Sequence, residues 1–319
     1  MKAVLCEKFG SHTDLVVREI DPPGPPGPGE VQVDLKVRSI QFSDLVRIAG
    51  NYQDKTVPPF IVGGDGAGVV TALGEGVDTL AVGDQVLSSA GCVERANQRA
   101  SQLIRLPQGT SLEAASAFRN GYATSYHGLQ LARLEPGETL LVHGAAGGMG
   151  LAAVDLGKLF GARVIATASS DEKLKVVKSM GADHVINYTE GFRDQVKDLT
   201  DGRGADVIYD PVGGDVFDES MRCIAPFGRI LIVGFTSGRP ALAKTNHLLV
   251  KDAQLIGYTM GGLGRHNPAK AAANFRVLLD WLAHGRINPH ISHRVSMDRI
   301  VDAYQLLVDR KVMGKVVID

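Results

Sequence analysis

Apolar and polar positions alternate over short runs in the first third of the chain. Val31-Gln32-Val33-Asp34-Leu35-Lys36-Val37 is the clearest case, and its period of two predicts a half-buried strand. Ile61 to Leu73 is apolar and dense in glycine and runs into the turn Gly74-Glu75-Gly76. Val82-Gly83-Asp84-Gln85-Val86-Leu87 reads as a turn followed by a strand. Residues 1 to about 118 therefore read as mostly β. Pro22 to Gly29 is too short for a repeat and reads as a stiff surface connector.

From about residue 119 to 262 the period changes. Strands are expected at Leu140–His143, Arg163–Thr167, His184–Ile186, Asp206–Tyr209, Arg229–Val233 and Gln254–Gly257. Helical segments such as Asp171 to Met180 separate most of them. Strand and helix in alternation predict a doubly wound parallel sheet. Residues 263–319 hold a helix near Ala269–His284, a second near Met297–Asp309 and a last strand, Gly314–Ile318, expected to return to the first domain. The predicted organisation is thus α/β in class. Residues 1–118 with 263–319 form one domain, and residues 119–262 form a dinucleotide-binding domain.

The most informative segment is Leu140-Leu141-Val142-His143-Gly144-Ala145-Ala146-Gly147-Gly148-Met149-Gly150, followed by the apolar, helix-competent run Leu151 to Phe160. A strand, a small-residue turn and a helix in that order make a phosphate-binding crevice. The backbone can approach a pyrophosphate closely, and the helix N-terminus offers unpaired N–H donors. In the dinucleotide register the segment reads Ala145-x-Gly147-x-x-Gly150, with alanine at the first glycine position.

Charge and composition narrow the function classes. The net charge is −1, so neither nucleic acid nor an anionic membrane surface is an expected partner. No run is long and apolar enough to span a bilayer. Cys6, Cys92 and Cys223 are scattered, with no C-x-x-C spacing, which fits a reducing, cytoplasmic compartment.

Several motifs in order carry a resemblance over essentially the whole chain. They are Phe42-Ser43-Asp44 with Arg47, Gly50 and Tyr52; Gly63 through Val70; Val82 through Val86; the Gly144–Gly150 turn; Gly181-Ala182-Asp183 through Tyr188; Asp210-Pro211-Val212-Gly213-Gly214; and Gly314 through Val317. Together they resemble the medium-chain dehydrogenase/reductase superfamily in its zinc-free quinone oxidoreductase (zeta-crystallin-like) branch. The resemblance implies a GroES-like β domain, a Rossmann domain and an active site in a cleft between them. The chain departs from that branch at Gln41, where the family has Asn, at Asp65, where it has Glu, and at Val62, where it has Pro. Arg119 and Asn120 are also unusual there.

Zinc-dependent relatives place a Cys, a His and a second Cys where this chain has Gln41, Gly64 and Asn120. Neither amide nor glycine is a good zinc ligand, so no catalytic metal is expected. Without a Lewis acid the resemblance implies hydride delivery from NADPH to an acceptor that carries its own electron sink, a quinone or an α,β-unsaturated carbonyl. The alternatives are an enoyl- or acrylyl-thioester reductase and a non-catalytic NADPH-binding protein.

Candidate residues follow. Gln41 could donate to a developing oxyanion or simply pack; Tyr52 could donate a proton or line a rim. Arg119 could clamp an anionic group or form a salt bridge, and Asn120 beside it is a further candidate catalytic residue. Asp44 and Arg47 read as an ion pair that shapes a loop. By resemblance, Thr124 supports the nicotinamide and Gly234 and Phe235 join the cofactor contacts, with Ala146, Gly147, Gly148, Met149 and Gly150 at the pyrophosphate. The second strand ends Ile165-Ala166-Thr167-Ala168-Ser169-Ser170 with no acid before Asp171. An NAD-type site would place a carboxylate there, about 20 residues past the turn. Ser169, Ser170 and Lys173, with Tyr188 by resemblance, therefore predict a 2′-phosphate site. The strand Gln254–Gly257 is expected at a sheet edge, where pairing with a second copy would give a homodimer.

Overall fold

The computed structural model describes residues 1–52 and 56–319 and divides into two compact units. Residues 1–119 with 289–319 form the terminal unit, and residues 120–288 form the central unit. In chain order the terminal unit supplies β1 (Lys2–Cys6), β2 (Val16–Glu19), β3 (Glu30–Ile40), α1 (Phe42–Ile48), β4 (Phe60–Ile61), β5 (Gly66–Leu73), β6 (Gln85–Ser88), β7 (Arg95–Arg99) and β8 (Ile104–Arg105). The boundary then falls inside α2 (Leu112–Leu131). The central unit alternates β9 (Thr139–Val142), α3 (Gly148–Leu159), β10 (Arg163–Ala168), α4 (Asp171–Ser179), β11 (His184–Asn187), α5 (Arg193–Leu199), β12 (Ala205–Asp210), α6 (Gly214–Cys223), β13 (Ile224–Ile232), α7 (Thr245–Lys251) and β14 (Gln254–Gly257), then adds α8 (Met260–His266) and α9 (Pro268–Ala283). The chain returns to the terminal unit with β15 (Ile291–Val295), α10 (Ile300–Val308) and β16 (Lys315–Ile318).

The central sheet runs β11-β10-β9-β12-β13-β14, and every neighbouring pair is parallel. Numbered within the unit this is the order 3-2-1-4-5-6 of a doubly wound Rossmann sheet. The strand order reverses between β9 and β12, where such sheets open a ligand crevice at the carboxyl ends. Strands β9 and β12 are buried along their whole length, as a sheet covered by helices on both faces requires. Leu141, Ile165, Ile208 and Ile230 from four adjacent strands meet Phe217 and Met221 of α6 in one apolar cluster.

The terminal unit is built on antiparallel pairing. Its long strand β3 pairs with β5, β7 and β16, and the expected return of the C-terminal strand is seen as Val316 facing Ile40. Val31, Val33 and Leu35 are buried on one face of β3, as the alternation predicts. A second cluster beneath α10 joins Ile40, Ile48, Tyr304 and Val316.

Two expectations are corrected. Residues 263–288 belong to the central unit, so the second boundary lies at Asn288/Pro289. The reason is an aromatic packing that the linear pattern does not reveal. Trp281 of α9 meets the rings of Tyr126 and Phe160 edge-on at 5.5 and 6.2 Å. Strand β13 also starts earlier than expected, at Ile224 rather than Arg229. Pro226-Phe227-Gly228 reads as a turn, and Phe227 does adopt a left-handed backbone (φ 62°), yet pairing with β12 continues through a register shift.

Candidate active site

The glycine turn between β9 and α3 is shaped by close backbone approaches. Gly144 has φ +55°, and its carbonyl accepts from the Gly147 N–H at 3.0 Å. A Cβ on Gly150 would lie 2.4 Å from the Gly144 oxygen and 2.5 Å from the Ala145 Cα, so only glycine fits at that position. Ala145 donates its N–H to Thr167 of β10, which anchors the turn to the sheet. Gly147 is the N-cap of α3 and has no side chain to cap it, so the first N–H groups of this helix are available to an anion. Ser125 of α2 donates its hydroxyl to the Met149 carbonyl at 3.1 Å. Gly121 allows the same helix to approach, since a Cβ there would sit 2.7 Å from the Gly148 oxygen. Ala146, Gly147, Gly148, Met149 and Gly150 thus form one rigid element.

Because all six strands are parallel, their carboxyl ends share one edge of the sheet, and the expected cofactor residues lie along it. At the end of β10, Ser170 caps α4, its hydroxyl accepting from the Lys173 N–H at 3.4 Å. Lys173 folds back so that its Nζ lies 3.4 Å from the Ser169 Oγ. At the end of β11, Tyr188 packs on the apolar cluster that contains Ile186 and Phe192. At the end of β12, the buried Asp210 carboxylate accepts from the N–H groups of Val212 and Gly213 at 2.8 and 2.9 Å and so fixes that loop. Gly234 and Phe235 follow β13, and a Cβ on Gly213 would lie 3.1 Å from the Phe235 ring. Thr124 of α2 is buried, with its hydroxyl 3.5 Å from Asn120 Oδ1.

The sequence reading gave no role to His143, which sits at the end of β9. It is buried, with Nδ1 3.0 Å from the Thr167 hydroxyl and Nε2 2.9 Å from that of Ser220. Burial pushes its pKa down to about 3, so it is a neutral cross-brace under the glycine turn. Its partners come from β10 and α6, which no local pattern could have paired.

In the terminal unit, Gln41 is the N-cap of α1, and its main-chain N–H donates to Asp44 Oδ2 at 2.8 Å. Its Nε2 lies 3.7 Å from where a Cβ on Gly64 would stand. Asp44 is buried and also accepts from the Tyr304 hydroxyl at 3.3 Å. Burial raises its carboxyl to about 6, against the opposing pull of the Gln41 N–H, Lys315, Arg47 and Tyr304. Lys315 is buried too, and burial lowers its pKa while Asp65 and Asp44 raise it. Arg47 lies over the Tyr52 ring, 5.0 Å from its centroid, a cation–π contact. The expected Asp44–Arg47 ion pair is not formed: Arg47 acts on Asp44 only through its field, and its guanidinium lies on Tyr52 instead. Arg119 faces Asp65, with Nη1 3.8 Å from Oδ1.

Among the described residues no cluster of three or more His, Cys, Asp or Glu side chains could hold a metal. The positions Gln41, Gly64 and Asn120 carry two amides and no side chain. Cys92 and Cys223 are buried with thiols pushed up to about 12 by burial, the opposite of a thiolate ligand. This donor set does not fit zinc.

Residues 27–127 match the alcohol dehydrogenase GroES-like domain, and residues 148–283 match the zinc-binding dehydrogenase domain. A quinone oxidoreductase-like protein 2 homolog from Nematostella vectensis is 38% identical over 326 residues, covering 100% of this chain and 88% of that protein. The chain belongs to the quinone oxidoreductase family of the medium-chain dehydrogenase/reductase superfamily. Its terminal unit is the GroES-like domain and its central unit the Rossmann domain. A 2-haloacrylate reductase from a Burkholderia species is 30% identical, over 99% of this chain and 98% of that one. Among solved structures, Escherichia coli quinone oxidoreductase complexed with NADPH superposes with a TM-score of 0.89 at 27% identity, covering 100% of this chain and 99% of that one. A structure described as an NAD-dependent alcohol dehydrogenase superposes equally well, with a TM-score of 0.90 at 30% identity over 100% and 99% of the two chains.

Proposed function

We propose that this oxidoreductase uses NADPH to reduce an activated acceptor, a quinone or an α,β-unsaturated carbonyl, without a metal. The observation that carries the reading is the end of β10, where Lys173 Nζ lies 3.4 Å from the Ser169 hydroxyl and Ser170, which caps α4, stands next to it. Backbone similarity alone does not choose the cofactor, because an NAD-dependent and an NADPH-bound relative superpose equally well. A hydroxyl-lined site with one ammonium suits a 2′-phosphate, whereas a ribose 2′-hydroxyl is met by a carboxylate. NADPH supplies a hydride when bound. The Gly144–Gly150 turn would hold its pyrophosphate on uncapped N–H groups, and Thr124, Gly234 and Phe235 would contact its nicotinamide half.

The chain's own task is then to stabilise negative charge on the acceptor oxygen. Gln41 offers an amide donor whose backbone is fixed by Asp44, and Tyr52 offers a hydroxyl whose ring is held by Arg47. Arg119 is engaged by Asp65, which favours its reading as a salt bridge over that of an anion clamp and weakens the thioester alternative. Asn120 is assigned to the hydrogen-bonding network around Thr124. We further assign a cytoplasmic homodimer. Among the described residues strand β14 has no partner on its outer side, and Leu249 and Val250 of the neighbouring α7 are 80% and 82% exposed. No described helix is long and apolar enough to cross a membrane.

The deciding experiment follows NADPH absorbance with a naphthoquinone, an alkenal and the CoA ester of the matching enoic acid. Turnover with the free acceptors supports the reading. Turnover with the CoA ester alone would shift it to a thioester reductase, and no turnover beside tight NADPH binding would shift it to a binding protein. Gln41→Ala and Tyr52→Phe should each lower kcat more than they weaken NADPH binding.

A further inference from the structure

The 2′-phosphate reading leaves one difficulty. Asp171 and Glu172 begin α4 immediately after Ser170, and both are exposed. A carboxylate turned toward Ser169 would repel the phosphate. The structure shows where one of these carboxylates is held. Asn187 ends β11 and stands in register with Ala168, beside Ser169. Its side-chain oxygen accepts from the Thr189 N–H at 3.2 Å and from the Thr189 hydroxyl at 2.7 Å. A main-chain N–H can only donate, so this fixes which way the amide faces. The amide nitrogen is thereby directed at Asp171, with Nδ2 3.4 Å from Oδ1.

We propose that Asn187 is a specificity-determining residue, which draws the Asp171 carboxylate aside and leaves the end of β10 to the 2′-phosphate. The proposal rests on the NADPH reading given above. Thr189 is the positioning residue, since it sets the amide orientation. Lys173 provides the attraction, and Asn187 removes the Asp171 share of the repulsion from the same helix turn. The selectivity of the site is then a difference between two effects on neighbouring strands.

The test is calorimetric binding of NADPH and NADH, with thermal midpoints recorded for each variant. Asn187→Ala should weaken NADPH about five- to tenfold and leave NADH within about twofold, because only the phosphate meets the released carboxylate. Asp171→Asn alone should change NADPH binding by less than about twofold, since that carboxylate is already held aside. In the Asn187→Ala background the same change should restore most of the lost affinity. Asn187→Asp keeps an oxygen for Thr189 and sets a carboxylate against Asp171, so it tests the idea even if Asn187→Ala unfolds the turn. It should weaken NADPH at least as much. A wild type that binds NADH more tightly overturns the NADPH reading and this inference with it. A wild type that prefers NADPH, with the ratio unmoved in both Asn187 variants or unrestored by Asp171→Asn, overturns this inference alone.

Discussion

The two units bury titratable groups in opposite ways. The central unit sets its buried groups against neutral partners, His143 as a ring with a hydroxyl on each nitrogen and the Asp210 carboxylate on main-chain N–H groups. The terminal unit sets buried charges against one another. Asp44 and Lys315 are both buried, and Asp65, itself buried, faces Lys315 and Arg119. One site is rigid because small residues let main chain touch main chain. The other is held because charged side chains from distant parts of the chain face one another. A phosphate-binding turn needs N–H groups in fixed places, which backbone supplies. A site that must respond to charge appearing on an acceptor is better served by polar side chains.

The comparison can be broken most severely at Gly150. Gly150→Ala drives a methyl into the Gly144 carbonyl and the Ala145 Cα, neither of which can turn away. We expect a loss of about 3 kcal/mol or more in stability and of NADPH binding with it, read by denaturant unfolding and calorimetry. A variant as stable as wild type would show that the turn is not held by backbone packing.

Asp44→Ala removes the acceptor of the Gln41 N–H and the Tyr304 hydroxyl and leaves Lys315 with less compensation. The expected cost is about 2 kcal/mol, with kcat lowered and NADPH affinity unchanged, because the residues proposed to bind the cofactor lie in the other unit. Weakened NADPH binding would mean that the two units are not independent in this respect.

A pH series sharpens the contrast, because the two groups have opposite linkage. His143 has a folded pKa of about 3, below its ordinary value of 6.5. Between these values the unfolded chain binds the extra proton, so its contribution to stability is lost as pH falls. Asp44 has a folded pKa of about 6, above its ordinary 3.8. There the folded chain binds the extra proton, so its contribution is lost as pH rises. Between about pH 4 and 6 the two slopes oppose each other, each about 1.4 kcal/mol per pH unit. Relative to wild type, His143→Gln should make stability fall more steeply with rising pH, and Asp44→Asn should do the reverse. Slopes that do not diverge would mean these groups are not buried as described.

The smallest effect is expected at Lys173. Its removal in Lys173→Ala should weaken NADPH by about 1 kcal/mol, near fivefold, and leave NADH unchanged, as measured by calorimetry. An equal loss for both cofactors would place Lys173 on the pyrophosphate instead.

Much of the central unit was legible because its signals are local. The turn, the helix after it and the acid-free end of β10 each fit within a few residues. The alternation of strand and helix therefore predicted a doubly wound parallel sheet without knowledge of any contact. The last strand could likewise be assigned to the first domain. What escaped was non-local. The helices after β14 join the central unit because Trp281 finds Tyr126 and Phe160, and β13 starts early because Ile224 pairs with Ala205 before the Pro-Phe-Gly turn, and pairing resumes at Arg229. Arg119 was left between two roles, and its neighbour Asp65 comes from a different strand end.

The sequence by itself determined the backbone-built half of the protein, because glycine, small residues and strand period constrain φ, ψ and close approach whatever surrounds them. The tertiary structure alone decided the side-chain contacts of both units. Only folding brings Lys315 and Tyr304 to Asp44, Ser220 to His143, and Asn187 to Asp171. Each of these groups owes its charge state or orientation to burial and to partners that chain order does not specify.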